Sequence, residues 1–275
     1  MQSANQITTS RSAASRRRRA IPSKKTECTR LCTGQKLRRI PLATKTDGNG
    51  ATPVPSKLRL PRTLPRPVLG EVDLTSSHNH LAHIPPEYVR EKLLGSLPSM
   101  RTSLAAVKCT LNSTRLAKAA QILANDIVSA YPPTHMLAIH GTASSSSNTQ
   151  AVSLFPVHDI VFAAHCATFP VLPSSQPTTT DSTISVPIVP MRLPSPETFS
   201  ILQGYLYTQQ PSFLRSALKT PLEAEGDFLR LAAHAHKIKG LWANACLLGV
   251  VDDRVFEVVE EAWTRVLDAM QTASS

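Results

Sequence analysis

The side chains best suited to chemistry are nine histidines and five cysteines. His158 and His165 are seven residues apart in a predicted helix, so they share one face, and Asp159 follows the first of them. With a serine from elsewhere in the chain, they could form the triad of a hydrolase. The sequence contains no Gly-x-Ser-x-Gly elbow to supply that serine. We therefore expect His158 to hydrogen-bond the backbone at a strand–helix junction and to fix that corner of the fold.

Metal-binding patterns are also weak. His78, His80 and His83 lie close together, but no second pair of ligands lies nearby at zinc-finger spacing. Cys28 and Cys32 have basic neighbours and no partner pair. The sequence predicts no metal site here.

The remaining histidine pair and the absence of catalytic motifs lead to the same expectation. His234 and His236 are two residues apart in a predicted helix, so they point to different faces and cannot hold one metal together. The chain has no Walker loop, no dinucleotide fingerprint and no His-Glu-x-x-His pair. We predict a protein that is not an enzyme, with no catalytic residue, no metal and no cofactor.

Charge divides the chain of 275 residues unevenly. Residues 1–70 contain 16 Lys and Arg residues and only two acidic residues, Glu27 and Asp47. The rest of the chain contains 14 Lys and Arg residues and 17 acidic residues. The net charge of +11 thus belongs to a tail, and the body is nearly neutral. An odd number of cysteines without a signal peptide favours a reduced, intracellular protein, and no apolar run is long enough for a membrane span.

The tail contains a basic cluster that could be read by an import receptor. Its members are Arg16, Arg17, Arg18, Arg19, Lys24 and Lys25. Such a cluster fits the acidic groove of an import receptor, so we expect a nuclear protein. Nucleic-acid contact, a mitochondrial transit peptide and a solubilising tail with no partner are the alternatives.

Composition and periodicity predict three regions. Residues 1–80 are a disordered basic tail, residues 81–150 a helical lead-in with a Ser-rich loop, and residues 151–275 an interaction domain. We predict helices over 85–100, 113–130, 157–168, 196–208, 211–219, 227–248 and 253–270, and strands over 135–140, 151–155 and 184–192. Pro187 and Pro190 predict that the last strand is an edge or irregular strand. Ser195 is the expected N-cap of the helix that follows.

Three segments of this pattern resemble a BTB/POZ domain. An apolar helix follows Phe155 and His158, a second ends in Leu-Tyr-Thr, and a third is rich in small residues. The signature positions are Phe155, His158, Phe162, Phe199, Leu206, Tyr207, Trp242 and Trp263. The resemblance implies an α+β fold, a small sheet capped by helices, with a mostly helical C-terminal half.

The same stretch resembles the clampless-type proteins of basidiomycete fungi. The segments that carry this resemblance are Pro156–Asp159, Leu193–Pro196, Gly240–Trp242 and Val251–Asp253. The resemblance implies a nuclear, non-catalytic regulator of clamp-cell formation and dikaryotic growth that acts through an unidentified protein partner. The alternatives are an adaptor of a cullin ubiquitin ligase, as many BTB proteins are, and a nucleic-acid-binding regulator that uses the basic tail.

Overall fold

The computed structural model of the chain describes residues 60–110, 117–141, 152–175, 177–180 and 182–274. They form a sheet capped by helices, which confirms the predicted α+β class and the helical C-terminal half. The helices are α1 (Pro86–Leu94), α2 (Leu97–Ala106), α3 (Asp126–Ala130), α4 (Asp159–His165), α5 (Phe199–Thr208), α6 (Pro211–Ala217), α7 (Phe228–Leu248) and α8 (Asp253–Ala273). The strands are β1 (Cys109–Thr110), β2 (Ala119–Leu123), β3 (His135–Gly141), β4 (Ser153–Val157), β5 (Thr178–Thr180) and β6 (Thr183–Leu193).

The long strand β6 organises the sheet. The strand order is β1-β2-β6-β3-β4, and β5 also pairs with β6. The first half of β6 runs antiparallel to β2 and β5, and the second half runs parallel to β3. Because β3 and β6 come from the predicted lead-in and from the predicted interaction domain, these two regions share one sheet.

The position of β6 corrects the prediction made from its prolines, since β6 lies inside the sheet. The Ile188 amide donates to the Lys118 carbonyl at 2.9 Å, so even-numbered residues of β6 turn their backbone polar groups toward β2. The backbone nitrogen of Pro190 faces the same side, but beyond the end of the ladder with β2. The backbone nitrogen of Pro187 faces the opposite side of β6. There it falls between Ser185, the last residue paired with β5, and the first residue paired with β3. Each proline therefore falls where a ladder needs no donor.

The helix predicted over residues 113–130 is wrong. In the part of this stretch that the structure describes, Ala119–Leu123 is β2 and only Asp126–Ala130 is helical. Exposure alternates along β2, with Ala120 and Ile122 buried, as expected for a strand with one buried face. The Asn125 side chain accepts from the Val128 amide at 2.9 Å and begins the short helix.

The helix predicted within residues 85–100 corresponds to α1, which ends at Leu94 beside Gly95. A second helix that was not predicted, α2, follows it. The Pro/Ser/Thr-rich stretch between residues 170 and 183 contains the short strand β5. The strands predicted over 135–140 and 151–155 correspond to β3 and β4, and a helix, α4, follows as predicted.

The last four helices are confirmed, and local signals explain where the two longest of them begin. The Asp227 carboxylate accepts from the amides of Leu229 and Arg230 and caps α7. Gly249 ends this helix in the left-handed conformation, with φ of 62°. Asp252 caps α8 in the same manner as Asp227.

Ser195 does not cap α5 as predicted. Its hydroxyl donates to the Glu197 carboxylate and bonds no backbone amide of the helix. Asn244 on α7 holds this turn instead, because its Oδ1 accepts from the Ser195 amide and its Nδ2 donates to the Ser195 carbonyl. The turn before α5 is therefore fixed by a buried contact with α7.

The sheet is buried on both faces at β3. Leu137 and Ile139 pack into the main core with the helices α4 to α8. Met136 and Ala138, which alternate with them, pack into a smaller core with β2, β6 and α3. Alternation along one strand thus joins the two cores.

Residues 60–80, which composition assigns to the tail, pack against the body. Leu64 and Leu74 are 6% and 2% exposed. Leu64 belongs to the main core, and Leu74 packs with α1 and α4. The body therefore begins about 20 residues before the predicted boundary at residue 80. Residues 1–59, and with them most of the predicted tail, lie outside the described residues.

Gly240 of α7 lies close against Ser195. A Cβ on Gly240 would lie 2.7 Å from the Ser195 Cβ and closer still to its hydroxyl. We expect Gly240→Ala to lower the free energy of unfolding by about 1–3 kcal/mol in urea denaturation, because overpacking outweighs the gain in helix propensity.

Gly95→Ala is the matched control. Its Cβ would meet only the Lys92 carbonyl at 3.9 Å, and its backbone suits any residue. This variant should be neutral or stabilised by up to about 1 kcal/mol. Equal stability of the two variants would contradict the close contact at Gly240.

Candidate functional site

Five signature positions, all from the first two of the three predicted segments, meet in the core. Phe155 of β4 lies edge-to-face on Phe199 of α5, with ring centroids 4.9 Å apart. Phe162 of α4 stacks on Phe199 at 5.9 Å and meets Tyr207 at 6.5 Å. Leu206 is fully buried in the same core. These residues hold α4 and α5 against the sheet.

His158 lies at the junction of β4 and α4, the strand–helix junction at which the sequence predicted it. Its amide donates to the Tyr207 hydroxyl at 2.8 Å, and its Nδ1 lies 3.0 Å from the same oxygen. Its Nε2 lies 3.1 Å from the Tyr131 carbonyl. A carbonyl only accepts, so Nε2 donates, and Nδ1 must accept from Tyr207. Both ring nitrogens are thus engaged, and the predicted backbone contact is confirmed.

Burial keeps these groups in their neutral forms. Burial lowers the pKa of His158, against the opposing effects of the Tyr131 carbonyl and the Asp159 charge. Burial also raises the pKa of the Tyr207 hydroxyl above its usual range. A neutral imidazole with two engaged nitrogens braces this corner and has no lone pair left for a substrate.

Tyr207→Phe should therefore destabilise the fold. It removes the acceptor of the His158 amide and the donor to Nδ1, and unsatisfied buried groups cost about 1–3 kcal/mol in unfolding free energy. Tyr88→Phe is the control, because Tyr88 is 50% exposed, and we expect a change within about 0.5 kcal/mol. If urea denaturation gave the two variants the same midpoint, the hydroxyl would not brace the corner.

His165 lies at the other end of α4, in a different environment from His158. The ring is 3% exposed and faces a cleft of about 370 Å³. Its Nε2 has no hydrogen-bond partner among the described residues, while Gln209 lies 3.5 Å from its Nδ1. His158 precedes α4 and does not lie on it, so the predicted common face does not bring the two histidines together.

The cleft combines charged groups with an irregular backbone. Its lining residues are Arg90, Glu91, Leu94, His165, Gln209, Val251, Asp252 and Arg254. Gln209 ends α5 with φ of 53°, a left-handed conformation that only this non-glycine residue adopts in the described part of the chain. Burial, with the charges of Arg90 and Arg254, lowers the pKa of His165 to about 4 against the opposing charge of Asp252. Strained backbone and a perturbed imidazole in one cleft mark a candidate binding site that the sequence did not indicate.

A second group of potentially chemical residues joins distant parts of the chain. His78 Nδ1 lies 3.0 Å from the Ser77 hydroxyl, and its Nε2 lies 3.5 Å from the Asp159 carboxylate. The sequence shows no sign of this contact, because about 80 residues separate its partners. It ties the segment before α1 to the first turn of α4. His80 and His83 are exposed beside it.

The remaining predicted positions are as follows. His234 is buried and bonded to the Leu218 carbonyl while His236 is exposed, so the prediction that they face different ways is confirmed. In the described ranges, no group of three or more His, Cys, Asp or Glu residues could hold a metal ion. The basic cluster at residues 16–25, Cys28 and Cys32 lie outside those ranges.

The two tryptophans bind the first residues of the body, residues 60–66, which we call the strap. The Trp263 indole donates to the Pro61 carbonyl and the Trp242 indole to the Pro65 carbonyl, each at 3.1 Å. Trp263 is 1% exposed, whereas Trp242 is only partly buried. Between the two anchors, Leu64 enters the main core. Neither tryptophan belongs to the aromatic cluster around Phe162.

No helix in the part of the chain that the structure describes has both the length and the apolar character needed to cross a bilayer.

Comparison with known families gives two matches that together extend from the strap to the C-terminus. The Clampless protein 1 N-terminal domain matches residues 65–194, and the Clampless protein 1 C-terminal domain matches residues 183–275. The two matches overlap along β6. Among the curated proteins and among the solved structures, no match was found.

Proposed function

The chain belongs to the clampless protein family, and we propose that it is a nuclear, non-catalytic regulator of clamp-cell formation and dikaryotic growth. The observation that carries this proposal is the pair of family matches over residues 65–275. The state of His158 supports a role without catalysis, because both of its ring nitrogens are engaged in bracing the fold. The resemblance to BTB/POZ domains, and the adaptor role that it implies, stay predictions.

We propose that the protein acts by contact with a protein partner. An apolar surface before and at the start of α7 supports this proposal. Leu222, Phe228 and Leu229 are 72%, 48% and 79% exposed, and Glu223 and Glu225 are exposed beside them. Large apolar side chains that cluster at a surface are typical of interaction sites.

Deletion of the gene followed by crossing tests the function. The expected result is loss of clamp cells and of conjugate division, restored by the intact gene. Normal clamps in the deletion strain would disprove the proposal. A gene carrying Phe228→Ser and Leu229→Ser should restore protein level but not clamps. Val68→Ser is the matched control, because Val68 is 99% exposed and lies elsewhere.

The localisation has its own test. Replacement of Arg16, Arg17, Arg18 and Arg19 by Ala removes four positive charges from the basic cluster. We expect a fluorescent fusion to spread from the nucleus into the cytoplasm, because an import receptor's acidic groove recognises clustered charge. Replacement of Arg59, Arg62 and Arg66 is the control, since they are spaced and not clustered. An unchanged nuclear signal in the first variant would assign import to another segment.

A further inference from the structure

The cleft beside His165 presents a buried hydrogen-bond donor with no acceptor. Gln209 Nε2 donates to the Leu206 carbonyl at 3.0 Å, which fixes the orientation of its amide group. The same nitrogen lies 3.5 Å from His165 Nδ1, so Nδ1 accepts and the ring proton resides on Nε2. In the described part of the chain, His165 Nε2 is the buried side-chain atom that lacks a hydrogen-bond partner. A ligand that satisfies it must offer an acceptor.

The charges around the imidazole favour an acceptor that carries a negative charge. Arg90 of α1 and Arg254 of α8 line the cleft, and both charges lower the pKa of His165. Arg254 pairs with Asp252 inside the cleft, whereas Arg90 pairs with Glu87, whose side chain is 74% exposed and does not line it. Both Asp252 oxygens are already occupied by Arg254 and by the Tyr205 hydroxyl. The N-terminus of α8, a helix of 21 residues, adds a positive partial charge at the same edge.

The acidic residues of the cleft limit the charge that it accepts. Glu91 and Asp252 both line it, so a dianion such as phosphate meets two like charges. A group with one negative charge and an oxygen acceptor meets the arginines and the imidazole at a smaller cost. The carboxylate is the common biological group with these properties.

We propose that the cleft formed by α1, the C-termini of α4 and α5 and the start of α8 binds a carboxylate, with one oxygen on His165 Nε2–H. Its charge faces the guanidinium groups of Arg90 and Arg254. The site is separate from the apolar surface at the start of α7 and does not depend on the regulatory role. The carboxylate can belong to a free organic acid or to an acidic residue of a peptide.

Nuclear magnetic resonance of the ¹⁵N-histidine-labelled full chain tests this site. The probes are acetate, succinate and N-acetyl-aspartyl amide at pH 7, added at constant ionic strength against sodium chloride. We expect the His165 Nε2 signal to move and saturate with the carboxylates and not with chloride. The His158 signal is the internal reference, because both of its nitrogens have protein partners. Tighter binding of the aspartyl compound than of acetate and succinate indicates a peptide, and the reverse indicates a free acid.

Variants separate a binding site from a general effect. His165→Phe should weaken acetate binding about tenfold, the loss expected for one charged hydrogen bond. Glu91 is exposed and lines the cleft, so Glu91→Gln should tighten binding several-fold by removing a like charge. Glu225→Gln is the matched control at an exposed site elsewhere and should leave affinity unchanged.

Because a damaged fold does not gain affinity, the Glu91 variant tests the proposal even where His165→Phe fails to fold. An unmoved His165 signal, or equal affinity of the Glu91 and Glu225 variants, would overturn the proposal and leave Nε2 to a bound water.

Discussion

Trp263→Ala should lower the free energy of unfolding by about 3–5 kcal/mol, the range measured when a buried aromatic side chain is truncated to alanine. Trp263 is 1% exposed and lies in the main core. The same substitution removes the donor to the Pro61 carbonyl, so the strap loses an anchor as well as packing. Urea denaturation followed by circular dichroism measures the change.

The indole N–H can be tested apart from the packing. Trp263→Phe keeps most of the apolar volume but cannot donate, so we expect a loss of about 0.5–1.5 kcal/mol, with more from the missing ring volume. Amide hydrogen exchange should increase at Arg62, Thr63 and Leu64 and not in the sheet. Leu229→Ala is the control on the neighbouring helix, because its side chain is 79% exposed. If the strap amides exchanged at the same rate in both variants, Trp263 would not hold the strap.

The long helices could be predicted because their signals are local. Asp227, Gly249 and Asp252 determine the helix boundaries through contacts within a few residues, and the apolar stripe of α8 includes Trp263. Phe228 shares the helical spacing of the apolar residues of α7 and is nevertheless 48% exposed. It lies in the first turn of α7, where the helix extends beyond the core.

The strap and β2 could not be predicted because their structure depends on distant residues. The strap has few large apolar residues, and its composition favours disorder. The side chains that anchor it, Trp242 and Trp263, follow about 180 and 200 residues later. β2 has apolar residues at helical spacing, and its pairing with β6 prevails over that local preference.

The histidines show which part of a site can be read from a sequence. The sequence located His158 at a strand–helix junction, and a junction requires hydrogen bonds to the backbone whatever the surrounding fold. His165 differs, because its environment comes from Arg90, Gln209 and Arg254, which belong to three other elements. A sequence pattern shows neither the cleft nor the unpartnered nitrogen.

The buried histidine also predicts how stability depends on pH. His165 has a pKa of about 4 in the folded protein, mainly because of burial, against an ordinary value of 6.5. The unfolded chain therefore binds a proton that the folded chain does not, and stability falls as pH decreases from 6.5 to about 4. The difference between the two pKa values corresponds to a loss of roughly 3 kcal/mol from this one residue.

The neighbours of His165 allow this contribution to be separated from the others. Arg90 of α1 and Arg254 of α8 lower the pKa of His165, Asp252 raises it, and Gln209 is neutral. Burial also lowers the pKa values of His158 and His234, so their protonation likewise reduces the stability of the fold as the pH decreases. His165→Gln should flatten the unfolding free energy between pH 6.5 and 4.5, whereas His236→Gln, at an exposed position, should leave its slope unchanged. If the slope stayed the same in the first variant, the buried imidazole would not be the group that takes up the proton on unfolding.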